Sequence, residues 1–530
     1  LMPLTARQRS IHNKNGAKRS YLYTNAPSDL RSIAYPGGAV ALGLLLVARL
    51  ASAYWGHIAD CDETYNYWEP LHFLVYGNGL QTWEYSPVYA IRSYMPLWLF
   101  AVPAKIMSYM MTPVSVFYTL RALLAVLTAC AELMFYKAVC HEFGVHVGRV
   151  WLCLTLPAAG CFASSAAMLP SAWSSALVSA ALACWWRRRY PPAVLFIAAT
   201  ALLSWPFTAL LGVPIAIDML LLKQQYLDFF KWSFVALITL LVPTVLVDSW
   251  HYGRLVVAPW NIVAYNIFTE HGPDLYGVEP WTYYFVNGFL NFNIIWVSFL
   301  CDIKILYCID KSTFCTPYWL SLAPLALWLA VFLAQPHKEE RTFCTPYWLS
   351  LAGLKITISP DISRITALYN HYQGPMTILR HLPEDNSGQM NVCFGKDWYR
   401  SPSSFHLPDS YRIRFIPSEF SGQLPAPFYE GHNATRIIHP YFNDLNRGDN
   451  RTYLQPSKCH YLVDSDIGTP TKLQPPYHKN VNTWEIIASV PILDASKSHK
   501  IFRAFYVPML SNKNIVYANL YLLRNKIIKY

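Results

Sequence analysis

Long apolar runs recur through the first two-thirds of the chain, and they constrain the fold more than any other feature. One of them, AYPGGAVALGLLLVARLASAYWG, ends at Gly56, and only 14% of the 530 residues are charged whereas 54% are apolar. A helix needs about 20 mostly apolar residues to cross a bilayer. Membrane spans are therefore predicted near residues 36–55, 95–111, 114–135, 150–169, 171–186, 191–222, 232–250, 281–300 and 316–335.

Prolines interrupt several of these runs and predict broken or re-entrant helices that are buried against their neighbours. The interrupting residues are Pro157, Pro170, Pro206, Pro214 and Pro243. The predicted fold class is a polytopic α-helical membrane protein, a multi-span bundle, followed by a soluble C-terminal domain.

Basic residues are concentrated in the first 33 residues, before the first apolar run. Short segments rich in Lys and Arg stay on the cytoplasmic side. Residues 1–33 are therefore predicted to form a cytoplasmic tail, with the first span acting as a signal anchor, and no nucleic-acid partner is expected. Residues 57–94, after that span, then face the opposite side of the membrane.

The composition changes near residue 356, beyond which no apolar run is long enough to span. We predict a catalytic membrane region over residues 34–355 and a soluble domain of mixed or mainly β type over 356–530. Strands are expected at 411–417, 484–493, 500–510 and 514–523, where aromatic and β-branched residues are enriched.

Two features of the C-terminal part fit a non-cytoplasmic location. Asn433 and Asn450 begin N-glycosylation sequons. Cys393 and Cys459 are candidates for a disulfide if this part lies in an oxidising lumen.

The stretch HIADCDETYNYWEP, residues 57–70, places four carboxylates, on Asp60, Asp62, Glu63 and Glu69, directly after the first span. Pro70 and Gly77 fit the two ends of a short helix, which we expect to lie in the membrane interface. A carboxylate at the mouth of a membrane cavity could act as a general base for a sugar hydroxyl. The alternatives are an ordinary solvated acidic loop or a cation site.

A basic cluster follows the span at 316–335, in QPHKEER. His337, Lys338 and Arg341 would share one side of a helical turn that begins at Pro336, and cations at a helix N-terminus favour an anion. The alternative is a charged cap where the span leaves the membrane. An acidic base combined with a phosphate-binding cluster would suit a glycosyltransferase that uses a polyprenyl-phosphate sugar.

Several segments resemble a known family. DCDETYNYWEPLHFLVYGNGLQTWEYSPVYAIRSY (60–94), HYGRLVVAPWNIVAYNIF (251–268), HKEER (337–341) and VCFGKDWYRSPSSFHLPDSYRIRFIPSEFSGQLPAPF (392–428) are similar to the dolichyl-phosphate-mannose-dependent alpha-1,2-mannosyltransferases of N-glycan precursor assembly. That family shares the GT-C class with the GPI-anchor mannosyltransferases.

The resemblance implies a GT-C fold in the endoplasmic reticulum membrane, with a luminal active site and a luminal C-terminal domain. It implies inverting transfer of mannose from dolichyl-phosphate-mannose to dolichyl-diphosphate-linked oligosaccharide, adding the seventh and ninth mannoses in alpha-1,2 linkage. No metal and no cofactor other than the lipid donor are expected.

The resemblance also implies residue roles. Asp62 is the expected base, Glu63 and Asp60 support it, and His337, Lys338 and Arg341 contact the donor phosphate. The loop contributes four candidate substrate contacts, which are Trp68, Glu69, Tyr85 and Arg92.

One departure from the family pattern leaves the activity of this chain open. TFCTPYWLSLA occurs at 313–323 and again at 342–352, where the family continues with further membrane spans. A chain that lacks part of its donor pocket could be inactive. It could also serve as a non-catalytic subunit that binds lipid-linked oligosaccharide, or as a lipid transporter.

Overall fold

The computed structural model describes residues 36–269, 275, 277–302, 318–335, 338, 359–384 and 388–528. Within these ranges the first two-thirds of the chain is helical. The helices are α1 (Gly38–Trp55), α2 (Cys61–Glu63), α3 (Glu69–Tyr76), α4 (Met95–Ser108), α5 (Pro113–Glu142), α6 (Val145–Thr155), α7 (Ala159–Ser164), α8 (Pro170–Trp186), α9 (Tyr190–Ala199), α10 (Val213–Ile217), α11 (Tyr226–Ala236), α12 (Val242–Tyr252), α13 (Ala258–Phe268), α14 (Tyr283–Asp302) and α15 (Tyr318–Ala334).

In the described ranges three helices are long and apolar enough to cross a membrane, namely Gly38–Trp55, Pro113–Glu142 and the continuous Tyr226–Tyr252. Shorter apolar helices cover Met95–Ser108, Tyr190–Ser204, Pro206–Leu222 and Ala323–Ala334. This arrangement agrees with a multi-span membrane protein.

Helix breaks occur at three of the five predicted prolines, Pro157, Pro170 and Pro206, whereas Pro214 lies within the continuous helix Pro206–Leu222. Helix α6 ends two residues before Pro157, and Pro170 begins α8. Pro243 is accommodated differently, because a π-helical turn at Leu237–Leu241 precedes it and the helix continues to Tyr252. The extra residue of a π turn relieves the clash between a proline ring and the preceding turn.

Helix α5 packs between α1 and α8 and carries the centre of the helical core. Phe135 on α5 contacts both Trp151 and Trp186, with ring centroids 5.3 and 5.1 Å apart. A buried ion pair crosses this core, since the Arg49 guanidinium on α1 makes two hydrogen bonds of 2.9 and 3.0 Å to the Glu132 carboxylate. This pair was not predicted from the sequence.

The C-terminal part forms a five-stranded mixed sheet from β2 (Met390–Phe394), β3 (Tyr411–Phe415), β5 (Tyr461–Ser465), β6 (Trp484–Leu493) and β7 (Tyr517–Asn525). The spatial order is β3-β2-β5-β7-β6. Strands β3, β2 and β5 are parallel, whereas β7 is antiparallel to both β5 and β6. The short helices α16 (Ser359–Tyr372), α17 (Gly374–Ile378), α18 (Lys500–Ala504) and α19 (Ser511–Asn514) accompany the sheet.

One predicted strand is wrong. Residues 500–510 begin with helix α18 rather than a strand, because the His499 ring accepts a hydrogen bond from the Ile501 N–H and caps the first turn. The segment is largely exposed and pairs with none of the sheet's strands. The expected strands at 411–417, 484–493 and 514–523 correspond to β3, β6 and β7.

A small second sheet joins the first loop to the C-terminal part. Strand β1 (Leu80–Gln81) pairs antiparallel with β4 (Ala426–Pro427). The Thr435 hydroxyl also donates a 2.8 Å hydrogen bond to the His251 carbonyl at the end of α12. The loop that carries the acidic residues is therefore packed between the helices and the sheet.

The structure gives positions for the predicted disulfide and for the two sequons of the C-terminal part. Cys393 on β2 and Cys459 just before β5 form a disulfide with Cα atoms 5.8 Å apart. Asn433 and Asn450, which begin the two sequons, are both exposed.

Candidate active site

The acidic turn is built by capping. The Asp60 carboxylate accepts a 2.9 Å hydrogen bond from the Asp62 N–H and so caps the helical turn Cys61–Glu63. The chain continues without a break through a π turn at Thr64–Trp68 into α3. Gly77 ends that helix with φ of +80°, a left-handed conformation that suits glycine.

The apolar face of α3 packs inside the protein, not at a lipid surface as expected from the sequence. Leu71 and Val75 are buried beside Trp68, Leu97 and Phe117. The π turn and α3 therefore form one rigid helical support that fixes the direction of the acidic turn.

Glu63 is fully enclosed and acts as a structural acceptor. One of its carboxylate oxygens accepts hydrogen bonds from Trp68 Nε1 at 3.0 Å and from the Met168 N–H at 2.9 Å. Burial raises the pKa of Glu63, and the nearby Arg121 guanidinium opposes that rise. These contacts connect the acidic turn to the segment before α8.

Asp62 is partly accessible, with 32% of its side chain exposed. Arg92 Nη2 lies 3.9 Å from Asp62 Oδ2. The same guanidinium makes hydrogen bonds of 2.9 and 3.1 Å to the Glu84 carboxylate and one of 2.6 Å to the Tyr67 hydroxyl. Glu84 and Tyr67 thus hold a cation beside the exposed carboxylate.

Arg92 also lines a cleft between the loop and the helices, whose empty space together with the open solvent at its mouth is about 510 Å³. We call it the aromatic cleft, and its walls include Tyr67, Tyr85, Arg92, Trp173, Ser204 and Trp205. Aromatic and apolar walls with a few polar groups are typical of small-molecule sites. Through Arg92 the cleft is adjacent to Asp62.

The predicted substrate contacts divide into two groups. Tyr85 and Arg92 line the aromatic cleft. Trp68 and Glu69 are fully buried, and Glu69 accepts hydrogen bonds from Leu80 N–H, Ser404 N–H and the Ser404 hydroxyl at 3.0, 2.6 and 2.9 Å. Burial raises the pKa of Glu69 to about 7 against these three donors. Glu69 therefore joins the loop to the C-terminal part.

The predicted phosphate cluster is described only at Lys338, because His337 and Arg341 lie outside the described residues. Lys338 is buried, and its ammonium group donates to the backbone carbonyls of Glu279, at 3.2 Å, and Gln335. These carbonyls hold a cation directly after α15.

The ligand atoms of Asp60, Cys61 and Asp62 all lie within 4.8 Å of one another, a spacing that could also hold a metal ion. All three belong to one capped turn, and the Asp60 carboxylate is occupied by the cap. The arrangement is explained by the turn itself.

Arg121 fixes the start of the loop and was not predicted from the sequence. Its guanidinium donates to the carbonyls of Ala53, Ser52 and Gly56 at 3.0, 3.3 and 3.1 Å, where α1 ends. A Cβ at Gly56 would lie 2.7 Å from Arg121 Nη2, so this approach requires glycine. A single arginine within an apolar run was the available signal.

The chain is similar to known proteins along most of its length. The sequence model of the Alg9-like mannosyltransferase family matches residues 40–348. The chain is 44% identical to the mouse alpha-1,2-mannosyltransferase ALG9 over 92% of this chain and 89% of that protein. It is 31% identical to the Saccharomyces cerevisiae ALG9 over 90% and 94%, respectively.

A solved structure, ArnT from Cupriavidus metallidurans bound to undecaprenyl phosphate, covers 59% of this chain and 58% of its own, with 11% identity and a TM-score of 0.46. That likeness is too low to carry an argument. The family match and the full-length relatives together settle the assignment: the chain belongs to the Alg9-like mannosyltransferase family, and it is a glycosyltransferase that transfers mannose in N-glycan precursor assembly.

Proposed function

We propose that the chain transfers mannose from dolichyl-phosphate-mannose to dolichyl-diphosphate-linked oligosaccharide, in alpha-1,2 linkage, at the luminal face of the endoplasmic reticulum membrane. It adds the seventh and the ninth mannose. The relatives named alpha-1,2-mannosyltransferase support the linkage, and the apolar helices support a lipid-bound donor.

The observation that carries the mechanism is the accessibility of Asp62 beside the aromatic cleft. Glu63 and Glu69 are buried and bonded to protein donors, and Asp60 caps the turn. Asp62 is 32% exposed and lies beside the aromatic cleft through Arg92. Its exposure and its position beside the cleft favour Asp62 as the group that meets the substrate hydroxyl, whereas the partly exposed Asp60 is used in the helix cap.

The reaction is a single displacement. Asp62 takes the proton from the acceptor 2-hydroxyl as its oxygen attacks C1 of the donor mannose. The bond from C1 to the phosphate oxygen breaks, and its electron pair leaves with dolichyl phosphate. Because the donor is beta-linked, inversion at C1 gives the alpha product.

The leaving phosphate gains negative charge in the transition state, and a fixed cation stabilises it there. His337, Lys338 and Arg341 are assigned this role. The two carbonyls that hold the Lys338 ammonium support it, because they fix a positive charge where α15 ends.

The aromatic cleft receives the mannosyl end of the donor and the first part of its isoprenoid chain. Trp173 and Trp205 provide apolar wall, while Arg92 and Ser204 provide polar contacts at the same cavity. Arg92 is a positioning residue, because Glu84 already balances its charge and its guanidinium orients Asp62.

The test uses the purified full chain in lipid, radiolabelled dolichyl-phosphate-mannose and lipid-linked acceptors with six and with eight mannoses. We expect label on both acceptors, and release of that label by a mannosidase specific for alpha-1,2 linkages. GDP-mannose as the donor should give no transfer. Label that resists the mannosidase, or transfer from GDP-mannose alone, would contradict the proposal.

A further inference from the structure

A second pocket lies at the far end of the helical support from Asp62. Its empty space, together with the open solvent at its mouth, is about 430 Å³. It is lined by the loop Gly77–Leu80, by Ser404, by Arg412–Arg414 on β3 and by residues near β4, including Phe428 and Glu430. We call it the junction pocket, because it lies where the first loop meets the C-terminal sheet. The proposed mechanism does not use it.

The walls of the junction pocket are held in place by specific contacts. Pairing of β1 with β4 continues in a 3.0 Å hydrogen bond from the Phe428 N–H to the Gly79 carbonyl. Gly79 cannot carry a side chain, because a Cβ there would lie 2.5 Å from the Glu69 carbonyl. The pocket is therefore formed before any ligand arrives.

Two arginines give the pocket its chemistry. Arg412 and Arg414 are two residues apart on β3, so their side chains are on the same face of the strand. Arg414 is half-buried and, within the described residues, makes no hydrogen bond or ion pair. Burial lowers the pKa of both guanidinium groups, and the neighbouring Arg412 lowers that of Arg414 further.

The remaining polar groups favour a neutral ligand over an anion. Asn78 and Gln389 offer amides, and Glu430 offers an acceptor carboxylate that would repel a phosphate. Sugar hydroxyls both donate and accept hydrogen bonds, so a sugar can satisfy arginines and a carboxylate together. Phe428 adds an apolar wall, and its ring stacks on Phe73 at 4.1 Å.

Distance decides which sugar could reach this pocket. The helical run from Asp62 to Gly77 is continuous, and at about 1.5 Å per residue it spans about 20 Å. A single mannose could not touch both ends, whereas an acceptor with several extended arms could. Binding energy from a remote part of a substrate can orient its reacting group.

We propose that the junction pocket binds a non-reacting arm of the acceptor oligosaccharide, with Arg414 as its main hydrogen-bond donor. This inference rests on the proposed function, since it assumes a branched oligosaccharide acceptor. The pocket acts as a subsite that recognises the acceptor and does not contact the lipid donor.

The test compares Arg414→Ala with the parent chain on two lipid-linked acceptors, one complete and one synthetic acceptor truncated to the reacting arm. With the complete acceptor, KM should rise about tenfold, as expected for losing hydrogen bonds from a charged donor. With the truncated acceptor, KM should change less than about twofold, and KM for dolichyl-phosphate-mannose should stay the same. Arg414→Lys should give an intermediate loss.

The matched control is Arg524→Ala, which removes an arginine from β7 of the same sheet, where it pairs with Glu485 outside the pocket. This variant should behave as the parent does on both acceptors. Unchanged KM in Arg414→Ala, or an equal rise on both acceptors, would overturn the proposal.

Direct binding separates this inference from the proposed function. Saturation-transfer NMR with free oligomannose should give a signal on the parent chain that Arg414→Ala weakens, whether or not mannose is transferred. If the parent chain bound inorganic pyrophosphate at Arg414 and gave no signal with oligomannose, the pocket would be an anion site and the inference would be overturned. Absence of any mannose transfer by the parent chain would instead count against the proposed function.

Discussion

Neighbouring carboxylates in the acidic loop have different environments, and those environments assign different roles. Asp60 is held by a backbone N–H, Glu63 by a tryptophan and a backbone N–H, and Asp62 keeps partial contact with solvent. Residue identity alone could not separate them, because all lie within four positions. Their different roles depend on contacts with residues such as Met168, which is distant in sequence.

Glu63 tests the distinction between support and catalysis. Glu63→Gln keeps an acceptor oxygen for Trp68 and Met168, so the variant should fold and retain most of its activity. Glu63→Ala leaves two buried donors without an acceptor and should destabilise the protein by about 2–5 kcal/mol. Thermal unfolding and mannose transfer, measured on both variants, check this expectation. Equal inactivation of a stably folded Glu63→Gln would assign Glu63 to the chemistry instead.

Glu69 predicts a pH dependence of stability. Its pKa is raised to about 7 in the folded state from a usual value of 4.5. Between about pH 4.5 and 7 the unfolded chain releases this proton and the folded chain retains it, so stability falls as pH rises through that window. The unfolding midpoints of the parent and of Glu69→Gln should be compared from pH 5 to 8. Relative to Glu69→Gln, whose side chain at position 69 does not titrate, the midpoint of the parent should fall as pH rises. A constant difference would contradict the expected titration.

At the scale of elements, the α1–α5 contact depends on a buried ion pair. Arg49 is fully buried, and it also donates to the Thr155 carbonyl at 3.0 Å. Arg49→Ala should lower stability by about 3–5 kcal/mol, because it leaves the Glu132 charge buried without its partner. Replacing both residues, as in Arg49→Met with Glu132→Leu, should recover most of the loss. A double variant as unstable as the single one, measured by thermal unfolding, would show that Arg49 acts through its contact with Thr155.

The helices were largely predictable, and the reasons for the exceptions are physical. Apolar length predicted α1, α5 and the long helix that ends with α12, and three of the five prolines mark helix breaks or starts. The strand predicted at 500–510 failed because enrichment in β-forming residues cannot show whether a sheet partner is available. Strands β2 and β5 were missed because short buried parallel strands lack the alternation that identifies a strand.

At the scale of the whole molecule, the C-terminal part holds the loop that carries Asp62 in place. Glu69 bonds to Ser404, β1 pairs with β4, and Thr435 bonds to the end of α12. The sequence could predict the acidic loop and its family, but not these contacts, because they join residues more than 180 positions apart. The junction pocket was invisible to sequence reasoning for the same reason.

The proposed luminal orientation gives a direct prediction for the two sequons. Asn433 and Asn450 are exposed on the C-terminal part, and luminal asparagines of this kind are acceptors for glycans. Treatment of the expressed chain with an amidase that removes N-glycans should increase its gel mobility. Asn433→Gln and Asn450→Gln should each remove one step of that shift, whereas Lys497→Gln should remove none. Unchanged mobility would place this part on the cytoplasmic side.

The central claim is that Asp62 is the general base, and the matched pair Asp62→Asn and Asp60→Asn tests it most directly. Asparagine is as good a helix N-cap as aspartate, so Asp60→Asn should keep the turn and retain mannose transfer within about threefold. Asp62→Asn should fold normally and lose about 10²–10⁴-fold in kcat with little change in acceptor KM. Transfer by Asp62→Asn at the parental rate, or an equal loss in both variants, would contradict the account.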